Sequence, residues 1–311
     1  MDRDLSSIAH VAIDWGTSSF RLWALDSNGR ILAERRSGEG AVVAAKLGFE
    51  TVLESHLAAL AVPAHVPVMI CGMAGSRAGW IEATYLDTPA QLDLLVERAA
   101  GVPSARRPVR ILPGIAQRKG EPDVIRGEET ILLAVADEDA HLVCLPGTHS
   151  KWTRLDGRVV ESFATFMTGE MFHWLRTSSI VAGAVERAET IQPNEHFTAG
   201  VEAALANPAL ATNLPFTLRA EWLLSGTPPE ALLARLSGLL IGVELAGARR
   251  LGSPAFEVVL VASDPLSALY KRALEIAGAG TVTLRDAEDC VRIGLHIAAR
   301  SAFANAEGFA S

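Results

Sequence analysis

One order of elements occurs twice in this chain: strand, Gly-Thr turn, strand, x-Gly turn, strand, and any fold must accommodate both copies. The first copy runs through Val11-Ala-Ile-Asp14-Trp15-Gly16-Thr17-Ser18-Ser19-Phe20-Arg21-Leu22-Trp23. Val11 to Ile13 read as a buried strand, and Phe20, Leu22 and Ala24 alternate with Arg21, Trp23 and Leu25 as a second strand would. Asn28-Gly29 supplies another reversal before a third strand from Ile31. The second copy is His141-Leu-Val-Cys144-Leu145, Pro146-Gly147-Thr148-His149-Ser150, Lys151-Trp-Thr-Arg-Leu155, Asp156-Gly157 and Arg158-Val-Val-Glu161-Ser-Phe163. Divergent internal duplication predicts two structurally related halves.

The turns have a chemical use. Gly16 lets backbone approach a ligand, and successive N–H groups from Gly16 to Ser19 can point at phosphate oxygens as a small anion nest. Asp14 at a strand end can hold Mg²⁺, which takes one or two carboxylates together with phosphate and water. The alternative is that Asp14 and Thr17 only cap a hairpin turn. The second copy favours the chemical reading, because two nests facing each other across a cleft would grip a nucleotide's phosphates from both sides.

With 311 residues the chain is long enough for two domains, each with its own core. It is 49% hydrophobic and 21% charged, and we expect no apolar run approaching a membrane span, hence no membrane partner. Met1-Asp-Arg-Asp-Leu5 lacks a signal-peptide pattern, which predicts a cytoplasmic protein. Cys71, Cys144 and Cys290 lie far apart and read as reduced core thiols, without zinc-ligand spacing. A formal charge of −8 argues against nucleic acid as a partner and requires local arginines if the substrate is anionic.

Between the copies, helical spacing covers Phe49 to Leu60, and Val68 to Cys71 is a short buried strand. It leads into Gly72-Met-Ala-Gly75-Ser76-Arg77-Ala-Gly79-Trp80, a glycine loop at a strand end, where α/β proteins place ligands; Arg77 is suited to a carboxylate. Pro89 to Ala100 reads as a helix and Val109 to Leu112 as a strand. Asp123, Arg126, Gly127, Glu128 and Glu129 precede or open a helix running to about Ala136. Acids there either complement the helix dipole or take a proton from a substrate hydroxyl. Beyond the second copy, Thr168 reads as the cap of a helix, and residues 181 to 213 carry no clear chemistry. Pro228 to Gly247 is a buried helix whose Gly238 and Gly242 admit close packing. A strand is expected over 256–261, a helix over 266–276, a strand over 282–284 and a helix over 287–299. Ser76 and Ser150 lie in no Gly-x-Ser-x-Gly elbow, and there is no Walker sequence or complete dinucleotide fingerprint.

Taken together, Asp14-Trp-Gly-Thr17, Cys71 to Trp80, Arg126-Gly-Glu-Glu-Thr130, Cys144-Leu-Pro-Gly-Thr-His-Ser-Lys-Trp152, Met167-Thr-Gly-Glu170 and Leu236-Ser-Gly-Leu-Leu-Ile-Gly242 resemble the 2-dehydro-3-deoxygalactonokinase family. The resemblance implies the sugar kinase, Hsp70 and actin superfamily: an α/β fold of two ribonuclease-H-like domains, mixed sheets flanked by helices, with an active-site cleft between them. Domains are expected at 1–138 and 139–311, the final helix of about 286–300 packing back on the first. The implied reaction is ATP-dependent phosphorylation of 2-dehydro-3-deoxy-D-galactonate to its 6-phosphate in galactonate catabolism. Carried onto this chain, the family's phosphate contacts fall on Gly16, Thr17 and Ser18 and on Gly147, Thr148, His149, Ser150 and Lys151. Asp14 would hold Mg²⁺ directly or through water, and the catalytic carboxylate falls among Asp14, Asp123, Glu128 and Glu129. The sugar acid would meet Ser76, Arg77, Trp80 and Arg126, and the adenosine turn reads Ala262-Ser263-Asp264 where relatives often carry a Gly pair. A kinase for another small sugar acid such as 2-keto-3-deoxygluconate, a phosphohydrolase and a non-catalytic nucleotide switch are the alternatives. A homodimer is compatible with all of them.

Overall fold

The computed structural model describes residues 7–138, 141–252 and 257–304; Met1 to Leu5, residues 139–140 at the expected domain boundary, and Phe256 lie outside them. The chain forms two compact units, one of Met1–Glu138, Gly157–Glu161 and Glu288–Ser311, the other of Asp139–Asp156 and Ser162–Ala287.

In the first unit β1 (His10–Trp15), β2 (Phe20–Leu25) and β3 (Ile31–Ser37) form an antiparallel meander. Helices α1 (Ala41–Leu47) and α2 (Phe49–Ala59) follow, and β4 (Val68–Gly72) then joins β1 in parallel. β1 is thus hydrogen-bonded on both edges, and Val11, Ala12 and Ile13 are fully buried, as a central strand requires. Phe49, Val52, Leu53 and Leu57 of α2 pack on Val11, Ile13 and Phe20. Each such side chain contributes about 1.5–3 kcal/mol by leaving water.

The segment after β4 is made of short pieces: β5 (Leu86–Asp87), β6 (Ala90–Gln91), α3 (Leu94–Glu97), β7 (Ala100–Gly101), β8 (Val109–Ile111), β9 (Ile115–Gln117) and β10 (Asp123–Ile125). The main sheet runs β3-β2-β1-β4-β8-β7, and β10-β9-β5 make a smaller one. The helix expected over Pro89 to Ala100 is therefore a single turn between two short strands. Ala90 and Gln91 are drawn into pairing with Val160 and Val159, so tertiary hydrogen bonds override local spacing. Helix α4 (Glu128–Val135) closes this part.

The second unit repeats the plan. β11 (Leu142–Leu145), β12 (Ser150–Asp156) and β13 (Val159–Phe166) form the second meander. Helices α5 (Thr168–Ser178), α6 (Ala182–Val185), α7 (Glu195–Ala206), α8 (Leu214–Ser225) and α9 (Pro229–Ala248) follow. β14 (Val258–Val261) then joins β11 in parallel, α10 (Leu266–Ile276) covers it, and β15 (Val282–Arg285) joins β14. The sheet order β15-β14-β11-β12-β13 matches the order around β1 in the first unit, which is the ribonuclease-H-like arrangement.

Helix α9 has 20 residues and is long and apolar enough to cross a bilayer, contrary to the expectation that no such run exists; most of it is buried in the protein. Its close-packing glycines meet α7: a Cβ on Gly238 would stand 2.2 Å from the Phe197 carbonyl, and one on Gly242 2.8 Å from that of Val201. The last helix, α11 (Ala287–Phe303), belongs from Glu288 onward to the first unit, where its Gly294 lies so close to α4 that a Cβ would reach 1.8 Å from the Thr130 carbonyl.

Candidate active site

Asp14 sits one residue inside the end of β1, in register with Arg21 of β2 and Cys71 of β4. Its nearest charged partner is the Arg21 guanidinium at 3.7 Å, and the Cys71 thiol donates weakly to Oδ1 at 3.9 Å. Burial raises the Asp14 pKa; Arg21 opposes the rise, while Glu128 and Glu288 add to it. The result is a carboxylate at a strand end with lone pairs unused by any closer donor among the described residues. Such a hard-oxygen group suits Mg²⁺ that takes its other ligands from phosphate and water. Among the described residues no cluster of three or more acids, histidines or cysteines could hold a metal alone.

The turn after Asp14 is fastened from behind. The Gly16 and Thr17 carbonyls accept from Ala41 and Val42 at the start of α1, at 2.9 and 3.2 Å. Thr17 and Ser18 are exposed, and their N–H groups donate to no other described residue. A Cβ on Gly16 would meet only its own turn, 2.7 Å from Ser19 Oγ.

Two glycines bring helix α4 to the same place. Gly72 ends β4 at φ +87° with its Cα hydrogens against the Trp15 carbonyl, which a Cβ would approach to 2.7 Å. Gly127, at φ +108°, packs on Gly72 and starts α4. Positive φ of this kind is costly for any residue with a side chain. The two acids that follow then separate. Glu128 is partly exposed and accepts the Arg126 N–H at 3.0 Å. Glu129 is fully buried, its Oε2 accepts the Gly127 N–H at 2.6 Å, and its Oε1 has no partner. Burial, with repulsion from Glu128, pushes the Glu129 pKa up to about 8.

The remaining first-unit candidates divide by what they touch. Arg126 stacks on the Tyr85 ring, 4.3 Å from its centroid, and donates to the Ala83 carbonyl at 2.9 Å. Its Nη1 is buried without a partner beside Gly75. Arg77 is exposed on the loop after β4 and pairs with no described acid; Ser76 caps the single helical turn over Met73–Gly75. Trp80 stacks on Phe49 and packs edge-on to Trp15, so its ring braces the core beneath the loop. Asp123 is on β10 opposite Gln117, accepts the Val124 N–H, and is not among the charges that shift Asp14.

In the second unit the Gly147–Ser150 turn exposes Thr148 and His149, whose N–H groups donate to no other described residue. His149 pairs with Glu170 at 2.5 Å, and Lys151 is mostly buried on β12 opposite Leu145. Below the turn lies a network that sequence reasoning missed. Glu244 of α9, 1% exposed, accepts from Trp152 Nε1 at 2.8 Å, from Tyr270 Oη at 2.7 Å and from Thr168 Oγ1. Tyr270 contacts Ser150 Oγ at 2.9 Å, and Ser150 Oγ accepts the Gly147 N–H at 3.4 Å. Burial raises the Glu244 pKa, while its donors lower it. Thr168 is thus not the cap of α5; Met167 holds that place and the Thr168 hydroxyl is spent on Glu244. The available signal was the one acid among residues 236–248 of α9, but its partners come from three distant segments.

Beside Gly147 is a cavity of about 110 Å³, walled by Thr168 and Phe172 of α5, Ser237 and Ile241 of α9, and Leu266 and Tyr270 of α10. Ser263 and Asp264 precede α10; they bond to Asp286 and to Ser267, respectively.

The family described as 2-keto-3-deoxy-galactonokinase matches residues 14–298 of the chain. "Probable 2-dehydro-3-deoxygalactonokinase DgoK1" of Rhizobium meliloti (strain 1021) is 51% identical over 297 residues, covering 94% of this chain and 97% of that protein. The 2-dehydro-3-deoxygalactonokinase of Escherichia coli (strain K12) is 33% identical over 271 residues, 86% of this chain and 90% of the relative. A crystal structure from Sinorhizobium meliloti, assigned as a 2-dehydro-3-deoxygalactonokinase protein, superposes with a TM-score of 0.90 at 52% identity, covering 94% of this chain and 98% of that one. With its two Gly-Thr turns and a family match from Asp14 to Ala298, the chain belongs to the 2-keto-3-deoxy-galactonokinase family.

Proposed function

We propose that the protein transfers the γ-phosphoryl group of ATP to the terminal hydroxyl of 2-dehydro-3-deoxy-D-galactonate, giving the 6-phosphate and ADP, in the cytoplasm. The observation that carries this reading is the pair of carboxylates formed by Asp14 at the end of β1 and Glu128 at the start of α4, beside a turn with unengaged N–H groups.

In this reading Glu128 is the general base. It is the accessible one of the two helix-start acids, whereas Glu129 folds back to the Gly127 N–H and keeps its proton to about pH 8. The acceptor oxygen attacks the γ-phosphorus, its proton passes to Glu128, and ADP leaves with the electrons of the broken bond. The N–H groups of Gly16, Thr17 and Ser18 and of Thr148 and His149 bind phosphate oxygens. Asp14 would hold Mg²⁺, which when bound neutralises triphosphate charge. The purine takes the apolar cavity beside Gly147, next to Ser263 and Asp264. Arg77, exposed and paired with no described acid, takes the substrate carboxylate, while Arg126 holds Tyr85 and Ala83 and keeps only its buried Nη1 unpaired.

The test is a coupled ADP-release assay with 2-keto-3-deoxygalactonate, 2-keto-3-deoxygluconate, galactonate, glucose and a no-sugar control. ADP release that depends on the first compound supports the reading. Release that ignores every sugar would make the protein a phosphohydrolase or an ATPase switch, and dependence on a different acid would move the substrate.

A further inference from the structure

The donors around Glu244 are arranged with a direction. A carboxylate only accepts, so Tyr270 gives its one hydroxyl hydrogen to Oε2 and must accept from Ser150; Ser150 Oγ in turn accepts from the Gly147 N–H. A second arm starts from the same carboxylate. Thr168 donates to it from the first residue of α5, and the next two residues clamp the turn. Gly169 packs on it so closely that a Cβ would stand 2.5 Å from the Gly147 carbonyl, and the Glu170 N–H donates to the Thr148 carbonyl at 3.0 Å.

Burying a carboxylate in an apolar helix is expensive unless every lone pair is used, and a leucine would pack there without that cost. What two of the three direct donors share is that each leads to the Gly147–Ser150 backbone. The third, Trp152, lies two residues beyond that turn on β12. Glu244 itself does not line the neighbouring cavity, so any influence on a ligand passes through the turn or through Thr168 and Tyr270, which do line it.

We propose that Glu244 is a positioning residue for the second Gly-Thr turn, holding the Gly147–Ser150 backbone in the shape that receives the nucleotide's phosphates; the phosphate part of this rests on the kinase reading above. Glu244→Gln and Tyr270→Phe in the full chain test it, with KM for ATP, KM for the sugar acid, kcat and amide exchange at Gly147 and Glu170 measured together. Removing one hydrogen bond to a charged group should raise KM for ATP about tenfold while KM for the sugar acid stays within about twofold. Exchange at Gly147 and Glu170 should quicken in the same variants. Folded variants with unchanged ATP KM overturn the proposal. So do variants in which both KM values and kcat move together with lost thermal stability, the mark of a purely structural role. If Glu244→Gln does not fold, Tyr270→Phe, which leaves Trp152 and Thr168 on the carboxylate, carries the test through amide exchange at Gly147 and Glu170, because Tyr270 also lines the cavity given to the purine. If wild-type protein shows no sugar-dependent ADP release, the kinase reading fails, while unchanged exchange in the variants would separately dismiss the network.

Discussion

Two residues before Gly16 stands Asp14; two residues before Gly147 stands Leu145. The first turn thus presents its charge at the end of the strand, held by little more than Arg21 at 3.7 Å. In the second turn the corresponding strand position is apolar and the acid lies beneath, where Glu244 is saturated with donors. The same backbone plan has been used once to leave a carboxylate with open lone pairs and once to support a loop. A carboxylate that is to meet a ligand must keep lone pairs free, whereas one that is to hold structure must have none left over.

Four substitutions sharpen or break that contrast. The largest effect is expected from Asp14→Asn, which should lower kcat by about a thousandfold or more, on the scale of groups that neutralise a transferring phosphoryl. Thermal stability should not fall, because burial already works against the charged form of Asp14. Near-normal turnover in this variant would remove Asp14 from the chemistry and erase the difference between the turns.

A second pair divides the acids of α4. Glu128→Gln should cost about 10²–10⁴ in kcat, the usual range for a general base, whereas Glu129→Gln should act chiefly on stability. Folded Glu129 keeps its proton up to about pH 8, while in the unfolded chain it loses it in the ordinary carboxylate range. The folded state therefore binds the extra proton between those limits, and the stability it confers declines as pH rises through them, by at most about 1.4 kcal/mol per pH unit. Glu129→Gln should flatten that decline, so its advantage over wild type in urea melts grows from pH 5 to pH 8. An advantage independent of pH would mean that Glu129 is ionised in the fold.

The smallest effect concerns Gly147. Its φ is not in the left-handed region and a Cβ there would meet nothing within 4 Å, unlike Gly16, whose Cβ would press on Ser19 Oγ. Nothing inside the protein requires glycine at 147. Gly147→Ala should change stability by less than about 0.5 kcal/mol, the range of unremarkable surface substitutions, and raise KM for ATP several-fold if phosphate lies against the turn. Unchanged KM would make the second turn a mere connector.

Much of this architecture was legible because it is local. Val11 to Ile13, the alternation from Phe20 to Leu25, and the helix of Leu266–Ile276 declare their period in the sequence itself. Gly72 and Arg77 were visible as a glycine loop at a strand end. What was hidden depends on partners far along the chain. Ala90 and Gln91 became a strand only because residues 159–160 pair with them. Glu244 gains meaning only from Trp152, Thr168 and Tyr270, and Thr168 lost its expected capping role to the same carboxylate. The choice between Glu128 and Glu129 was equally closed to sequence reading, since adjacent residues on a helix differ in exposure only once its neighbours are in place.

The contact of Gly294 with the Thr130 carbonyl also bears on how the protein is made. Residues up to Glu138 leave the ribosome well before the stretch from Glu288 onward, yet both belong to one compact unit. A nascent chain stalled ahead of residue 288 would already carry both glycine turns, but the helix presenting Glu128 would lack the surface that it rests against. Catalytic competence should therefore arrive late and abruptly during synthesis, with the final helix acting as the latch.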